Sequence, residues 1–120
     1  MKKILIVDDS AAETLLIEQL LKSAGYAPLV VNDPFQAEPV VSAQRPDLIL
    51  LDVVMPYRNG FQVCRDLRQN PEHGNVPILV VTSKNSDSDR FWAKQQGANG
   101  YLTKPFTGQE LLAEISKLLR

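Results

Sequence analysis

Short apolar runs alternate with amphipathic stretches of helical length, and this alternation limits the possible fold more than any other feature. The runs are Lys3 to Val7, Pro28 to Asn32, Leu48 to Asp52, Pro77 to Thr82 and Tyr101 to Thr103. Four of them are rich in Val, Ile or Leu without polar alternation, as expected of strands that helices cover on both faces. Helical stretches between such strands give a parallel sheet with right-handed crossovers. The prediction is an α/β fold, a doubly wound parallel sheet of five strands flanked by five helices. Pro28 cannot donate a ladder hydrogen bond, so the second strand is expected at an edge.

The first helix opens at Ser10-Ala11-Ala12-Glu13, a capping-box pattern, and is expected to bury Leu16, Leu20 and their neighbours and to end at Gly25. The last opens with a second such box, Thr107-Gly108-Gln109-Glu110, and carries Leu111, Leu112, Ile115, Leu118 and Leu119. The third is expected from about Gly60 to Asn70, and the fourth from about Ser86 to Gln96 with Gly97 as its stop. Pro34 suits the first turn of the second helix, but Pro39 would cost ~3 kcal/mol inside a regular helix. A kinked or shortened segment is expected there.

At 120 residues the chain is expected to form one domain over residues 1–120. A domain of this size buries roughly two-thirds of the surface its unfolded form exposes. A net charge of −1 offers no general attraction to nucleic acid or an anionic membrane. The single cysteine, Cys64, excludes an intramolecular disulfide and a multi-cysteine zinc site, which fits a reducing compartment, with the cytoplasm as the default. Met1-Lys2-Lys3 runs into a strand-like segment too short for a signal-peptide core, and no apolar stretch approaches the ~18 residues of a membrane span.

Asp52 ends the apolar run Leu48-Ile49-Leu50-Leu51, where a lone charge is expensive unless something pairs with it. Asp8 and Asp9 end the first run, Thr82 ends the fourth, and Lys104 follows the fifth. A doubly wound sheet binds ligands outside the carboxyl ends of its strands, so these residues are expected to converge. A hard dication such as Mg²⁺ takes carboxylate, water and phosphate oxygens, and Asp8, Asp9 and Asp52 can supply the carboxylates. Without metal the acids repel, and at least one should have a raised pKa. With metal, Asp52 can stay ionised and act as a nucleophile towards phosphorus. Lys104 would then neutralise one phosphoryl oxygen and the Thr82 hydroxyl would donate to another.

Asp8-Asp9, Leu51-Asp52-Val53-Val54-Met55-Pro56 with Gly60, Val81-Thr82-Ser83, and Tyr101-Leu102-Thr103-Lys104-Pro105-Phe106 stand in order at four predicted strand ends. Together they resemble the receiver domains of two-component response regulators, over essentially the whole chain. The resemblance implies a flavodoxin-like sheet with strand order 2-1-3-4-5, and phosphorylation of Asp52 by a histidine kinase or phosphotransfer protein. It also implies that the Val54 carbonyl is a metal ligand, that Lys104-Pro105 is cis, and that Thr82, Ser83, Tyr101 and Pro105 belong to the switch. The output would be binding of an unidentified protein by the face of the fourth helix, fifth strand and fifth helix. Asp89 to Ala98 further resembles the fourth helix of stand-alone regulators from twitching-motility and chemotaxis-like systems. Ser83 replaces the family's usual Ala or Gly, and Val54 makes the second position after the acceptor apolar; both bear on the lifetime of the phosphate.

Each residue also has a plainer reading. Asp9 or Ser10 could simply cap a helix, Thr82 and Ser83 could terminate a strand, and Lys104 taken alone reads as a surface lysine. Tyr101 could be an edge aromatic covering the core. Trp92 reads as a packing residue of its helix, although an exposed aromatic there would favour a partner site. Cys64 suits a small buried hydrophobe, and His73 reads as solvent-exposed. Two rival functions are a Mg²⁺-dependent phosphohydrolase and a receiver-like module that binds without phosphorylation. The first lacks an acid two residues after Asp52 and room for a cap; the full acid, hydroxyl and lysine set argues against the second. Nothing follows the last helix, so no covalent effector is expected and the only chemistry is gaining and losing phosphate.

Overall fold

The computed structural model describes all of residues 1–120. Five strands alternate with helices: β1 (Lys3–Val7), α1 (Ala11–Ser23), β2 (Ala27–Val31), a 3₁₀ turn (Pro34–Gln36), α2 (Ala37–Gln44), β3 (Leu48–Leu51), α3 (Gly60–Gln69), β4 (Ile78–Thr82), α4 (Asp87–Gln95), β5 (Gly100–Thr103) and α5 (Gly108–Leu118). The strands form one parallel sheet in the order 2-1-3-4-5, with β2 and Pro28 at an edge as expected. No helix is long and apolar enough to cross a membrane.

Successive residues of the central strands face opposite sides of the sheet, so the near-continuous apolar runs build two cores. Leu5, Val7, Ile49 and Leu51 pack with Val41, Val63, Cys64 and Leu67 of α2 and α3. Ile4, Ile6, Leu48 and Leu50 pack with Ile17, Leu21, Leu111 and Ile115 of α1 and α5. Cys64 is fully buried, and burial pushes its thiol up to about 11. It behaves as the small hydrophobe its spacing suggested.

The second helix is divided as its prolines require. Pro34 opens the 3₁₀ turn, whose start is capped by the Asp33 side chain, and α2 is only eight residues long. Pro39 falls in the first turn of α2, where a backbone N–H has no partner within the helix, so its missing donor is tolerated.

Two local expectations are corrected. The first helix buries Thr14, Ile17 and Leu21, while Leu16 is 69% exposed and Leu20 is only partly buried. The apolar residues 15–17 and 20–21 cover so much of the helix circumference that periodicity does not select the inner face. The Asn32 amide, which donates to the Asp8 carbonyl and the Thr14 hydroxyl, anchors Thr14 to the strand ends. His73 is buried rather than solvent-exposed. The turn at residues 70–76 folds back on α3, placing His73 Nδ1 3.2 Å from the Leu67 carbonyl near the helix C-terminus.

The loop between β3 and α3 is held from outside the sheet. Arg58 donates to the Pro34 carbonyl at 2.9 Å and pairs with Glu38 and Asp66, and its guanidinium lies over the Phe35 ring. Bonding to Glu38 is the main reason the Arg58 pKa is raised. Beside it, Tyr57 adopts a left-handed φ of 67° with its side chain in solvent. Arg58→Ala is expected to destabilise the fold by about 1–3 kcal/mol, because it strands a carbonyl and a half-covered carboxylate. Urea denaturation checks this, and a loss below a few tenths of a kcal/mol would show the clamp to be idle.

Candidate functional site

Strand register builds the site. Val7 pairs with Leu51, so Asp8 and Asp52, one residue beyond each, emerge side by side at the carboxyl ends of β1 and β3. The backbone keeps them level, with the Asp52 N–H donating to the Val7 carbonyl and the Asp8 N–H to the Val31 carbonyl. Thr82 pairs with Thr103, and the Lys104 N–H donates to the Thr82 carbonyl, which brings Lys104 to the same rim. The strand order reverses between β1 and β3, where a doubly wound sheet opens a crevice. A cavity of about 640 Å³ opens there, its polar end lined by Asp8, Asp9, Asp52, Ser83 and Lys104 and its apolar wall by Leu16, Leu20 and Phe106.

At its floor, Lys104 Nζ donates to Asp8 Oδ2 at 2.8 Å, Asp52 Oδ2 at 3.1 Å and Glu13 Oε2 at 2.6 Å. Single oxygens of these three carboxylates lie within 4.8 Å of one another. The other Asp52 oxygen accepts from the Val54 N–H at 3.0 Å, and the other Asp8 oxygen accepts from the Ser10 N–H at 2.9 Å. Burial raises the Asp8 pKa despite its bonds to Lys104 and Ser10, and the Asp52 charge adds a smaller push in the same direction. A raised acid was expected, but desolvation outweighs repulsion as its cause. Burial also opposes the Lys104 charge, yet the bonds to Asp8 and Glu13 carry its pKa above the ordinary lysine value.

Several residues stand differently from their sequence reading. Asp9 lines the cavity but is exposed, and its carboxylate is outside the converging group. Glu13 takes that place, although its position three residues after Ser10 pointed only to a helix cap. Thr82 is fully buried and does not line the cavity; its hydroxyl accepts a long bond from the Lys84 N–H, whereas Ser83 forms part of the wall. Val54 and Pro105 border the cavity, and the Lys104-Pro105 peptide is cis. Gly60 is required by close approach, since a Cβ there would stand 2.2 Å from the Asp52 carbonyl oxygen. Away from the cavity, the Tyr101 hydroxyl donates to the Lys84 carbonyl at 2.7 Å and Arg90 stacks over the Tyr101 ring. Trp92 is half exposed beside exposed Phe91, so it is not the packing residue expected.

The donor set fits a hard dication: oxygen ligands only, three carboxylates against one ammonium, and an open side towards solvent. Without Lys104 the buried acids would lose their only cation. Lys104→Met is therefore expected to destabilise the protein at neutral pH by about 3–5 kcal/mol, the usual loss when one partner of a buried pair is removed. Lys104 holds the Asp8 pKa down against burial, so in the variant Asp8 is raised further and takes up its proton at higher pH, and the deficit should shrink as pH falls towards the ordinary carboxylate range. Denaturant titrations at pH ~7 and ~5 test the sign; a deficit that grows on acidification would contradict it.

A family model described as the response regulator receiver domain matches residues 4–116. Protein PilH of Pseudomonas aeruginosa is 38% identical over 119 residues, covering 99% of this chain and 98% of that protein. Response regulator MprA of Mycobacterium leprae is 42% identical over 118 residues, covering 98% of this chain but 51% of the relative, so the chain spans about half of that protein's length. Among solved structures, the chemotaxis protein CheY4 of Vibrio cholerae superimposes with a TM-score of 0.94 at 33% identity, covering 99% of each chain. A matched family model over nearly the whole chain, joined to the strand order and the acids at the switch point, establishes that the protein belongs to the response regulator receiver domain family.

Proposed function

We propose that residues 1–120 act as a single receiver unit that accepts a phosphoryl group on Asp52 in a Mg²⁺-dependent reaction and thereby switches its binding to a protein. The donor would be a histidine kinase or phosphotransfer protein, in keeping with the family. The observation that carries this reading is the Lys104 ammonium bonded to both Asp8 and Asp52 at the crevice between β1 and β3. It supports reading Asp52 as the nucleophile, Asp8 as a metal-binding acid and Lys104 as the phosphate counter-charge, since the three groups share one open cavity.

Asp8, Asp9, Asp52 and the Val54 carbonyl would hold Mg²⁺, with Asp9 reaching in from the exposed border of the cavity; when bound, the ion would neutralise charge on the phosphoryl oxygens. An Asp52 oxygen attacks phosphorus as the bond to the donor's leaving group breaks, and that group departs with the electron pair. The Val54 N–H orients the acceptor carboxylate, and Lys104 opposes charge on the transferred group. Ser83, on the cavity wall, would offer a further hydroxyl to a phosphoryl group held there.

A route to the binding face runs through Lys84. Its N–H donates to Thr82 and its carbonyl accepts from Tyr101, so moving the Thr82 hydroxyl towards a phosphoryl oxygen would disturb the backbone to which the Tyr101 hydroxyl is bonded. Exposed Phe91 and Trp92 give α4 an apolar surface that a protein target would cover, while Arg90 and Lys94 are the charged α4 residues beside β5 on the face formed by α4, β5 and α5. Taking such an equilibrium from 1:99 to 99:1 needs ~5.5 kcal/mol of differential stabilisation, within reach of several charge-assisted hydrogen bonds.

Incubation with a small phosphodonor is expected to label the wild type only with Mg²⁺ present, and Asp52→Asn is expected to abolish the label without unfolding the protein. Label on that variant at wild-type yield would reject Asp52 as the acceptor. Thr82→Ala should still accept phosphate, yet lose most of the change in Trp92 fluorescence produced by Mg²⁺ and a phosphoryl mimic. A full fluorescence response in Thr82→Ala would reduce Thr82 to a strand terminator.

A further inference from the structure

Four helices start with a residue pair able to form a reciprocal cap, and three complete it. Asn59 with Gln62, Ser86 with Asp89, and Thr107 with Glu110 bond in both directions. At α1 only half of the box forms. Ser10 Oγ accepts from the Glu13 N–H, but the Ser10 N–H donates to Asp8 rather than to the Glu13 carboxylate. The freed Glu13 side chain reaches across to Lys104 and makes the shortest of that ammonium's three contacts, 2.6 Å.

An ammonium has three N–H donors, and all three on Lys104 are engaged. A phosphoryl oxygen beside Lys104 can be met only if one partner is released. Asp8 keeps 4% of its side-chain surface exposed, so releasing it would strand a buried charge, while Asp52, 9% exposed, passes its charge to the phosphoryl oxygens when it is esterified. Glu13 keeps 49% exposed, and water can replace its bond at small expense.

We infer that Glu13 is a positioning residue that holds the Lys104 ammonium while Asp52 is free and competes for it with a phosphoryl group on Asp52. This rests on the phosphoacceptor reading above. Glu13 thus stabilises the unphosphorylated state, and the half-closed cap of α1 is what frees its carboxylate for this role.

The probe is beryllofluoride, a mimic of the aspartyl-bound phosphoryl group, titrated at saturating Mg²⁺ and followed by ¹⁹F NMR. An exposed ion pair of this kind corresponds to a change of about two- to fivefold in binding. Glu13→Gln is expected to lower the half-saturating concentration by that factor, and an unchanged or higher value overturns the inference. Glu13→Asp keeps the charge but is one methylene shorter and cannot span to Lys104, so it should behave like Glu13→Gln. If it matches the wild type instead, diffuse repulsion of the anion accounts for the effect and the positioning role is rejected. A wild-type protein that takes no mimic, or an Asp52→Asn variant that binds it equally, would overturn the phosphoacceptor reading and this inference with it. Normal wild-type saturation with indifferent Glu13 variants would overturn only the role of Glu13.

Discussion

The parallel pairing of Val7 with Leu51 is the contact on which the site depends. Because both strands run the same way, the residue after each emerges at one rim, and Asp8 and Asp52 meet although 44 positions separate them in the chain. An antiparallel pair would send them to opposite edges of the sheet. The pairing of Thr82 with Thr103 repeats the device two strands along and brings Lys104 to the same rim. Packing of α1 with α5 on one face and α2 with α3 on the other buries the strands that carry these charges.

Burial sets the electrostatic problem that the site then uses. One ammonium faces three carboxylates, and desolvation drives Asp8 towards its neutral form while Lys104 is held charged by its partners. Paired charges of this sort contribute little net stability, because their attraction mainly offsets the desolvation of bringing them together. Their retention fits a binding role better than a structural one. The remaining negative excess attracts a cation, and the open cavity leaves room for an anionic group beside Lys104.

The outer elements are tied to this rim by few contacts. Arg58 fixes the loop after Asp52 to the 3₁₀ turn and α2, while the Lys84 peptide joins Thr82 to Tyr101. Both ties use polar groups at loop positions, where a change of partner requires no repacking of the core.

Strand number, the edge position of β2, the interrupted second helix and the convergence of Asp8, Asp52 and Lys104 were legible from local pattern. Pro28, Pro39 and the apolar runs act through backbone geometry over a few residues, and a doubly wound sheet has one end at which such acids can meet. The inward face of α1, the burial of His73, the exposure of Trp92, the outlying Asp9 and the contact of Glu13 with Lys104 were not legible in this way. Each depends on how a helix is rotated, or which loop folds over it, and those follow from contacts between residues distant in sequence such as Asn32 with Thr14. The sequence by itself determined the fold and the chemical kinds of group at the site. Only the tertiary structure decided which carboxylates share the ammonium, because that choice turns on side-chain reach across neighbouring elements.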